Sequence, residues 1–185
     1  QYYQEFADTY PGSNNAEEAA YLAALCQYYQ SPRAELDQAN TRKAIESFTI
    51  FMQRYPTSTR TDDCKARILE LQEKLVEKSY LSARLYYDLK EYRAATVSLA
   101  NSLKEYPDTK YREELMFLKL DALYLYAANS IPEKQLERYQ TTLDEYYSFI
   151  EEFPKSRFSK EVARIFENTA KYLKVETTVK QTENN

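Results

Sequence analysis

Apolar side chains recur along this chain at intervals of three and four, and the runs are interrupted at regular points by proline. Cys64, Ile68, Leu71 and Leu75 form one such stripe, and Leu69, Val76, Tyr80, Ala83 and Tyr87 widen it. This spacing places side chains on one face of an α-helix, and a stripe that wide suits a helix packed on two neighbours. Read in this way, the pattern predicts helices over 1–10, 15–30, 40–55, 60–90, 92–106 and 110–129, one from the Ser130-Ile131-Pro132-Glu133 start to about 153, and a last one over 158–174. The helix over 60–90 would be roughly 45 Å long at 1.5 Å per residue. Residues 31–39, opened by Ser31-Pro32, read as a loop. The stretch 175–185 is polar with little to bury, so a frayed tail is expected there.

The prolines carry a repeated mark, an aromatic residue followed by Pro-x-Ser or Pro-x-Thr. It stands at Tyr10-Pro11-Gly12-Ser13, Tyr55-Pro56-Thr57-Ser58, Tyr106-Pro107-Asp108-Thr109 and Phe153-Pro154-Lys155-Ser156. Eight residues before each proline stand Tyr3, Phe48, Leu99 and Tyr146; five before stand Phe6, Phe51, Ser102 and Phe149. Proline disfavours helix in the residue before it, so each helix ends at the aromatic residue. The Ser or Thr that follows can help cap the next helix. Two further starts are expected: a capping box from Asn14 and Glu17, and Ser130 as the N-cap ahead of Pro132.

The marks delimit repeats. Ala83, Tyr86, Ala95 and Leu99 stand 24, 21, 12 and 8 residues before Pro107, the offsets of small, Tyr, Ala and large positions in a tetratricopeptide repeat. Ala44 and Phe48 hold the same offsets before Pro56. The expected fold is all-α, a right-handed superhelical solenoid of tetratricopeptide-like helical hairpins. The expected organisation is one repeat domain over 1–174: the tail of a truncated repeat at 1–10, repeats at 15–55, 60–106 and 110–153, and a C-terminal helix at 158–174. The repeats diverge from the common pattern, because Phe51 and Phe149 occupy a place usually given to alanine and Thr142 replaces another alanine.

Composition supports helices. The 185 residues contain one Gly and six Pro, too few glycines for most sheet folds or nucleotide loops. A net charge of −4 argues against a broad nucleic-acid footprint. With 19 Tyr, 8 Phe and no Trp, the chain suits surfaces shared between core and solvent. The doublets Tyr2-Tyr3, Tyr28-Tyr29, Tyr86-Tyr87 and Tyr146-Tyr147 are read as one ring in a repeat's core and its neighbour against the next repeat, with some rings lining a partner groove. No run is long and apolar enough to span a membrane. The chain starts without an initiator Met, which reads as a fragment beginning inside a repeat, with any targeting signal upstream.

No catalytic or metal constellation is expected, and no cofactor. There is no His, the commonest general base and metal ligand. Cys26 and Cys64 are read as two buried thiols on helices, with a bridge conceivable in an oxidising compartment. The pairs Asp62-Asp63, Glu113-Glu114 and Glu151-Glu152 point about 100° apart on a helix, so they make no dyad and read as solvated termini.

The stretches Ala16-Glu17-Glu18-Ala19-Ala20-Tyr21-Leu22, Tyr55-Pro56-Thr57-Ser58, Tyr86-Tyr87-Asp88-Leu89-Lys90-Glu91-Tyr92-Arg93-Ala94-Ala95 and Tyr106-Pro107-Asp108-Thr109-Lys110-Tyr111-Arg112-Glu113-Glu114 resemble the BamD family. These are lipoproteins of the outer-membrane β-barrel assembly machinery, and the resemblance covers about residues 1–170. It implies a non-enzymatic scaffold docking on the periplasmic domains of a BamA-like barrel subunit, among other machinery proteins, with unfolded outer-membrane protein precursors as further partners. It also implies a place on the periplasmic face of the outer membrane through an N-terminal lipid anchor outside this sequence. The candidate partner-binding residues are Tyr92, Arg93, Tyr111 and Arg112, which flank the turns of the repeat resembling the docking region. Lys90, Lys110 and Lys119 lie around them, read either as a solvated face or as a contact to an acidic partner. Two other readings remain open: a different tetratricopeptide-repeat adaptor of the cell envelope, or the helical regulatory part of a larger enzyme.

Overall fold

The computed structural model describes the backbone of residues 2–183 and the side chains of residues 2–174. Its described residues form eight α-helices: α1 Tyr2–Thr9, α2 Ala16–Tyr29, α3 Ala39–Arg54, α4 Thr61–Asp88, α5 Tyr92–Glu105, α6 Arg112–Ala128, α7 Pro132–Glu152 and α8 Ser159–Glu183. The expected frayed stretch 175–185 falls on residues whose side chains lie outside the description.

Each proline mark builds the same corner. Tyr55, Tyr106 and Phe153 close their helices with φ near −127° and ψ of 65–72°, the non-helical backbone that a following proline imposes. Their amides still donate to the carbonyls of Phe51, Ser102 and Phe149. The Ser or Thr hydroxyl then accepts the N–H two residues on, just before the next helix. The pairs are Ser13 with Asn15 (3.3 Å), Ser58 with Arg60 (3.1 Å), Thr109 with Tyr111 (3.2 Å) and Ser156 with Phe158 (3.0 Å). All four marks therefore place the hydroxyl over the start of the following helix.

The other two expected starts differ. Asn14 and Glu17 make no capping box; Asn15 is the N-cap of α2, and Glu17 instead accepts the Ser58 hydroxyl at 2.6 Å. At α7 the N-cap is Ile131, extended at φ −62° and ψ 147° because Pro132 follows it. Ser130 turns back, donates to the Tyr126 carbonyl and accepts from Arg138. Helix α4 ends without glycine. Lys90 takes the left-handed conformation at φ 61°, and the amides of Lys90 and Glu91 reach back to the carbonyls of Tyr87 and Tyr86.

The chain divides into two compact units, Gln1–Ser79 and Tyr80–Asn185. In the first, α2 pairs antiparallel with α3, and the N-terminal part of α4 lies parallel to α2. Its core gathers Ala20, Ala24, Ala44, Phe48, Phe51 and Leu71. In the second unit, Tyr80, Ala83, Ala95, Leu99, Leu115 and Ala122 form one cluster, joining the end of α4 to α5 and α6. Met116, Leu120, Phe149, Val162 and Ile165 form another between α6, α7 and α8. Alanines at the crossings let helix axes approach, and the large side chains fill the gaps, as a tetratricopeptide-like hairpin requires. Both units are all-α, in agreement with the pattern read from the sequence.

Three readings of individual side chains are corrected. Leu69 is exposed, because it lies about 140° around the helix from the Cys64 line at 100° per residue. Cys64 is buried but Cys26 is exposed, and both are free thiols. In three of the doublets, the two rings divide between a neighbouring helix and solvent. Tyr28, Tyr87 and Tyr146 pack on the helix beside them, whereas Tyr29, Tyr86 and Tyr147 are exposed.

Burial pushes the Cys64 thiol up to about 11, the opposite of an activated nucleophile. At about pH 8, a chromogenic disulfide reagent is expected to react promptly with Cys26 and with Cys64 only after unfolding. Prompt reaction of both thiols in the native chain would show that this part of α4 is not packed as described.

Candidate protein-interaction surface

Parallel helices are joined by a ladder of hydrogen bonds that repeats along the chain. The Tyr21 and Tyr28 hydroxyls of α2 donate to Asp63 and Glu70 of α4, each at 2.6 Å. The Tyr80 hydroxyl of α4 donates to Glu114 of α6 at 2.7 Å, and Tyr87 donates to Asp121. Each side of the ladder is spaced by seven residues, two helical turns, so successive rungs stay in line. Between α6 and α8 the pattern continues in altered form: Asn168 donates to the Tyr124 hydroxyl at 3.2 Å, and Phe117 stacks on Phe158 at 4.1 Å.

The sequence carries this ladder, although its helical stripe alone does not reveal it. Counted forward from the marks, the acceptors stand seven and fourteen residues after Pro56 and Pro107, where Asp63, Glu70, Glu114 and Asp121 lie. The aromatic residues facing the next helix stand ten and seventeen residues after Pro11 and Pro107, as Tyr21, Tyr28, Phe117 and Tyr124. In the longer α4 they come fourteen residues later, at Tyr80 and Tyr87. Of the acid pairs read as solvated termini, Asp63 and Glu114 are thus inter-helix partners, whereas Asp62 stays exposed and pairs with Lys65 of its own helix. Glu114 also accepts from Arg84 at 3.1 Å and Arg157 at 2.9 Å. Asp63 also accepts from Arg67 at 2.7 Å, and that bond with the one from Tyr21 holds its carboxyl below the usual range.

Against this frame the four candidate residues fall into two pairs. Tyr92 and Arg93 begin α5; Tyr111 and Arg112 lie past its other end, at the start of α6. The pairs are separated by the length of α5, about 20 Å at 1.5 Å per residue, so they do not form one patch. Tyr111 lies flat on Tyr80, ring centres 4.1 Å apart and planes within 10°. Arg112 forks onto Glu152 of α7, with one contact at 2.9 Å, and donates to the Pro107 carbonyl at 3.0 Å. The Arg112 bond holds the Glu152 carboxyl below its usual range. Nearby, Lys119 pairs with Glu145 at 2.6 Å. Tyr111 and Arg112 thus spend their functional groups inside the second unit.

Tyr92 is half-buried, edge-on to Tyr87 at 6.3 Å. Arg93 is exposed, and its guanidinium has no ion pair among the described residues. It opens onto a shallow groove of about 470 Å³ between the end of α4 and the outer face of α5, lined by Tyr86, Arg93, Ala94, Val97, Ser98 and Asn101. Tyr86 and Val97 are exposed apolar side chains there, and Leu85 on α4 and Leu89 just past its end are also exposed. An open groove with an aromatic ring, an aliphatic floor and an unspent cation suits a protein partner. Neither Tyr86 nor Val97 was singled out from the sequence as a contact, because Tyr86 reads equally well as a core position of the repeat.

The family model of the outer membrane lipoprotein YfiO matches residues 1–135. Among curated proteins, the outer membrane protein assembly factor BamD of Caulobacter vibrioides is 27% identical over 117 residues, 63% of this chain and 38% of that protein. BamD of Haemophilus influenzae is 26% identical over 127 residues, 63% of this chain and 48% of that protein. BamD of Neisseria gonorrhoeae is 26% identical over 165 residues, 84% of this chain and 58% of that protein. The chain spans about half the length of the curated relatives it matches.

Proposed function

The chain belongs to the YfiO family of outer membrane lipoproteins, the family of the BamD assembly factors, and on that footing we propose that it is a non-enzymatic scaffold in outer-membrane protein assembly. It docks on the periplasmic domains of a BamA-like barrel subunit through the α4–α5 groove. The observation that carries this reading is the unspent Arg93 guanidinium beside exposed Tyr86 and Val97. Arg93 meets a carboxylate of the partner, and the apolar floor supplies the desolvated centre of the contact. Tyr92, wedged on Tyr87, sets the end of the groove. Tyr111 and Arg112 act indirectly by fastening α6 to its neighbours. Helices joined by a ladder of inter-helix bonds lose little conformational freedom when they bind, which favours a scaffold. In the full-length protein, a lipid anchor holds this scaffold on the periplasmic face of the outer membrane, within reach of unfolded barrel precursors.

The test is binding of the purified chain to purified periplasmic domains of BamA from the same organism. Arg93→Glu is expected to weaken binding about tenfold, mostly by faster dissociation. Lys155→Glu, exposed on the last mark, serves as the control and should leave binding unchanged. Absence of binding would leave the chain as an adaptor for another envelope partner, whereas equal binding by the Arg93→Glu chain would move the BamA contact off the α4–α5 groove.

A further inference from the structure

We propose that the outward face of α8, carrying Arg164 and Lys171, is a second docking surface, and that its occupant is a helix of a partner protein bearing two carboxylates seven residues apart. This face lies beyond the stretch matched by the family model, which ends at residue 135, and it does not depend on the α4–α5 groove.

The inference rests on register. Ten and seventeen residues after Pro11 stand Tyr21 and Tyr28, and after Pro107 stand Phe117 and Tyr124. These positions face the next parallel helix in both cases, α4 for the first and α8 for the second. After Pro154 the same two positions hold Arg164 and Lys171. Seven and fourteen residues after Pro154 stand Glu161 and Asn168, and Asn168 spends its amide on Tyr124 of α6. Helix α8 is thus seated on α6 and α7 by its inner faces, with Val162, Ile165 and Thr169 buried. The two positions that reach forward to a neighbour in α2 and α6, though fourteen residues later in the longer α4, are exposed here, and neither side chain has a partner among the described residues.

The chemistry of the occupant follows from the change of residue type. A tyrosine hydroxyl donates or accepts, so it tolerates several partners, as Tyr124 does with Asn168. Arginine and lysine only donate, and both are charged, so the complementary groups are carboxylates. Their spacing of two helical turns, about 10 Å, matches an acid pair at the same spacing on a parallel helix. Asp63 with Glu70 and Glu114 with Asp121 are such pairs within this chain. A flat anionic surface would satisfy the charges but would not require this spacing.

The probe is a stapled, fluorescent peptide of residues 61–79, which carries Asp63 and Glu70 on one face, titrated against the full chain. Saturable binding is expected, weakened about tenfold by Arg164→Glu with Lys171→Glu, and similarly by Asp63→Asn with Glu70→Gln in the peptide. Both residues exchanged in the chain are exposed, so its circular dichroism should not change; the milder Arg164→Ala with Lys171→Ala chain should fall between. No binding, or binding indifferent to these exchanges, overturns the proposal. It is also overturned if the same charge reversal abolishes binding to phosphatidylglycerol vesicles while the peptide fails to bind. A concentration-dependent dimer lost in the charge-reversed chain would likewise overturn it, by assigning the face to self-association. Because Arg93 is untouched, each of these outcomes is separable from the fate of the α4–α5 groove.

Discussion

Phe51→Ala should lower the stability of the first unit by about 3–5 kcal/mol. Phe51 is 2% exposed and wedged between Tyr21, with ring centres 5.7 Å apart, and Tyr55 at 5.3 Å. The common tetratricopeptide pattern places alanine here, so sequence comparison alone would rate the exchange as conservative. Packing predicts the reverse. The ring fills the space between α2, α3 and the corner at Pro56, and the surrounding aromatic rings are too constrained to close a cavity of that size. Ile50→Ala, one residue away but 51% exposed, should stay within about 0.5 kcal/mol of the parent. Urea unfolding followed by circular dichroism reads both. A loss below about 1 kcal/mol for Phe51→Ala would mean that the hairpin repacks around the smaller side chain, against the interior density assumed here.

The second large effect is expected at a ladder rung. Tyr87→Phe deletes a hydroxyl that donates to the buried Asp121 carboxylate, and should cost about 1.5–3 kcal/mol. Tyr28→Phe deletes the equivalent bond to Glu70, which lies in an exposed setting, and should cost no more than about 1 kcal/mol. Water can replace the lost donor at Glu70, whereas at Asp121 the acceptor stays in the interior without it. Burial, and after it the bond to Asp121, raises the Tyr87 phenol above its ordinary value of 10.0. A group raised on folding contributes its full stability below the ordinary value and loses it as pH climbs toward the folded one. The parent should therefore lose stability above about pH 10, and Tyr87→Phe should flatten part of that alkaline limb. Urea midpoints measured on both sides of that pH check the rung, and equal slopes for the two chains would mean that the Tyr87 phenol is not raised on folding.

How much of this was legible beforehand depends on the range of the interaction. The four corners were legible because each is made by neighbours: an aromatic residue forced out of helix by the proline after it, and a hydroxyl two residues from the amide it satisfies. The starts at Asn14 and Ser130 were misread because side chains able to cap were claimed elsewhere. Ser58 took Glu17 across 41 residues, and Tyr126 and Arg138 took Ser130. The candidate residues divide along the same line. Arg93 is exposed at a groove, whereas Arg112 reads identically in sequence but is spent on Glu152, 40 residues away.

By itself the sequence determined where the helices end at the proline marks, the main line of each apolar face and that the helices recur as hairpins. Those properties follow from backbone preferences and a period of 3.6 residues, which act within a few positions of each other. Only the tertiary structure decided that Cys26 meets solvent, that three of the tyrosine doublets divide between a neighbouring helix and solvent, and which charges are satisfied and which remain available to a partner. Those outcomes depend on bonds spanning 34 to 46 residues, such as Tyr87 to Asp121 and Arg54 to Asp8. At that separation, local preference sets the direction of a side chain on its helix, and the packing of helices selects what it meets.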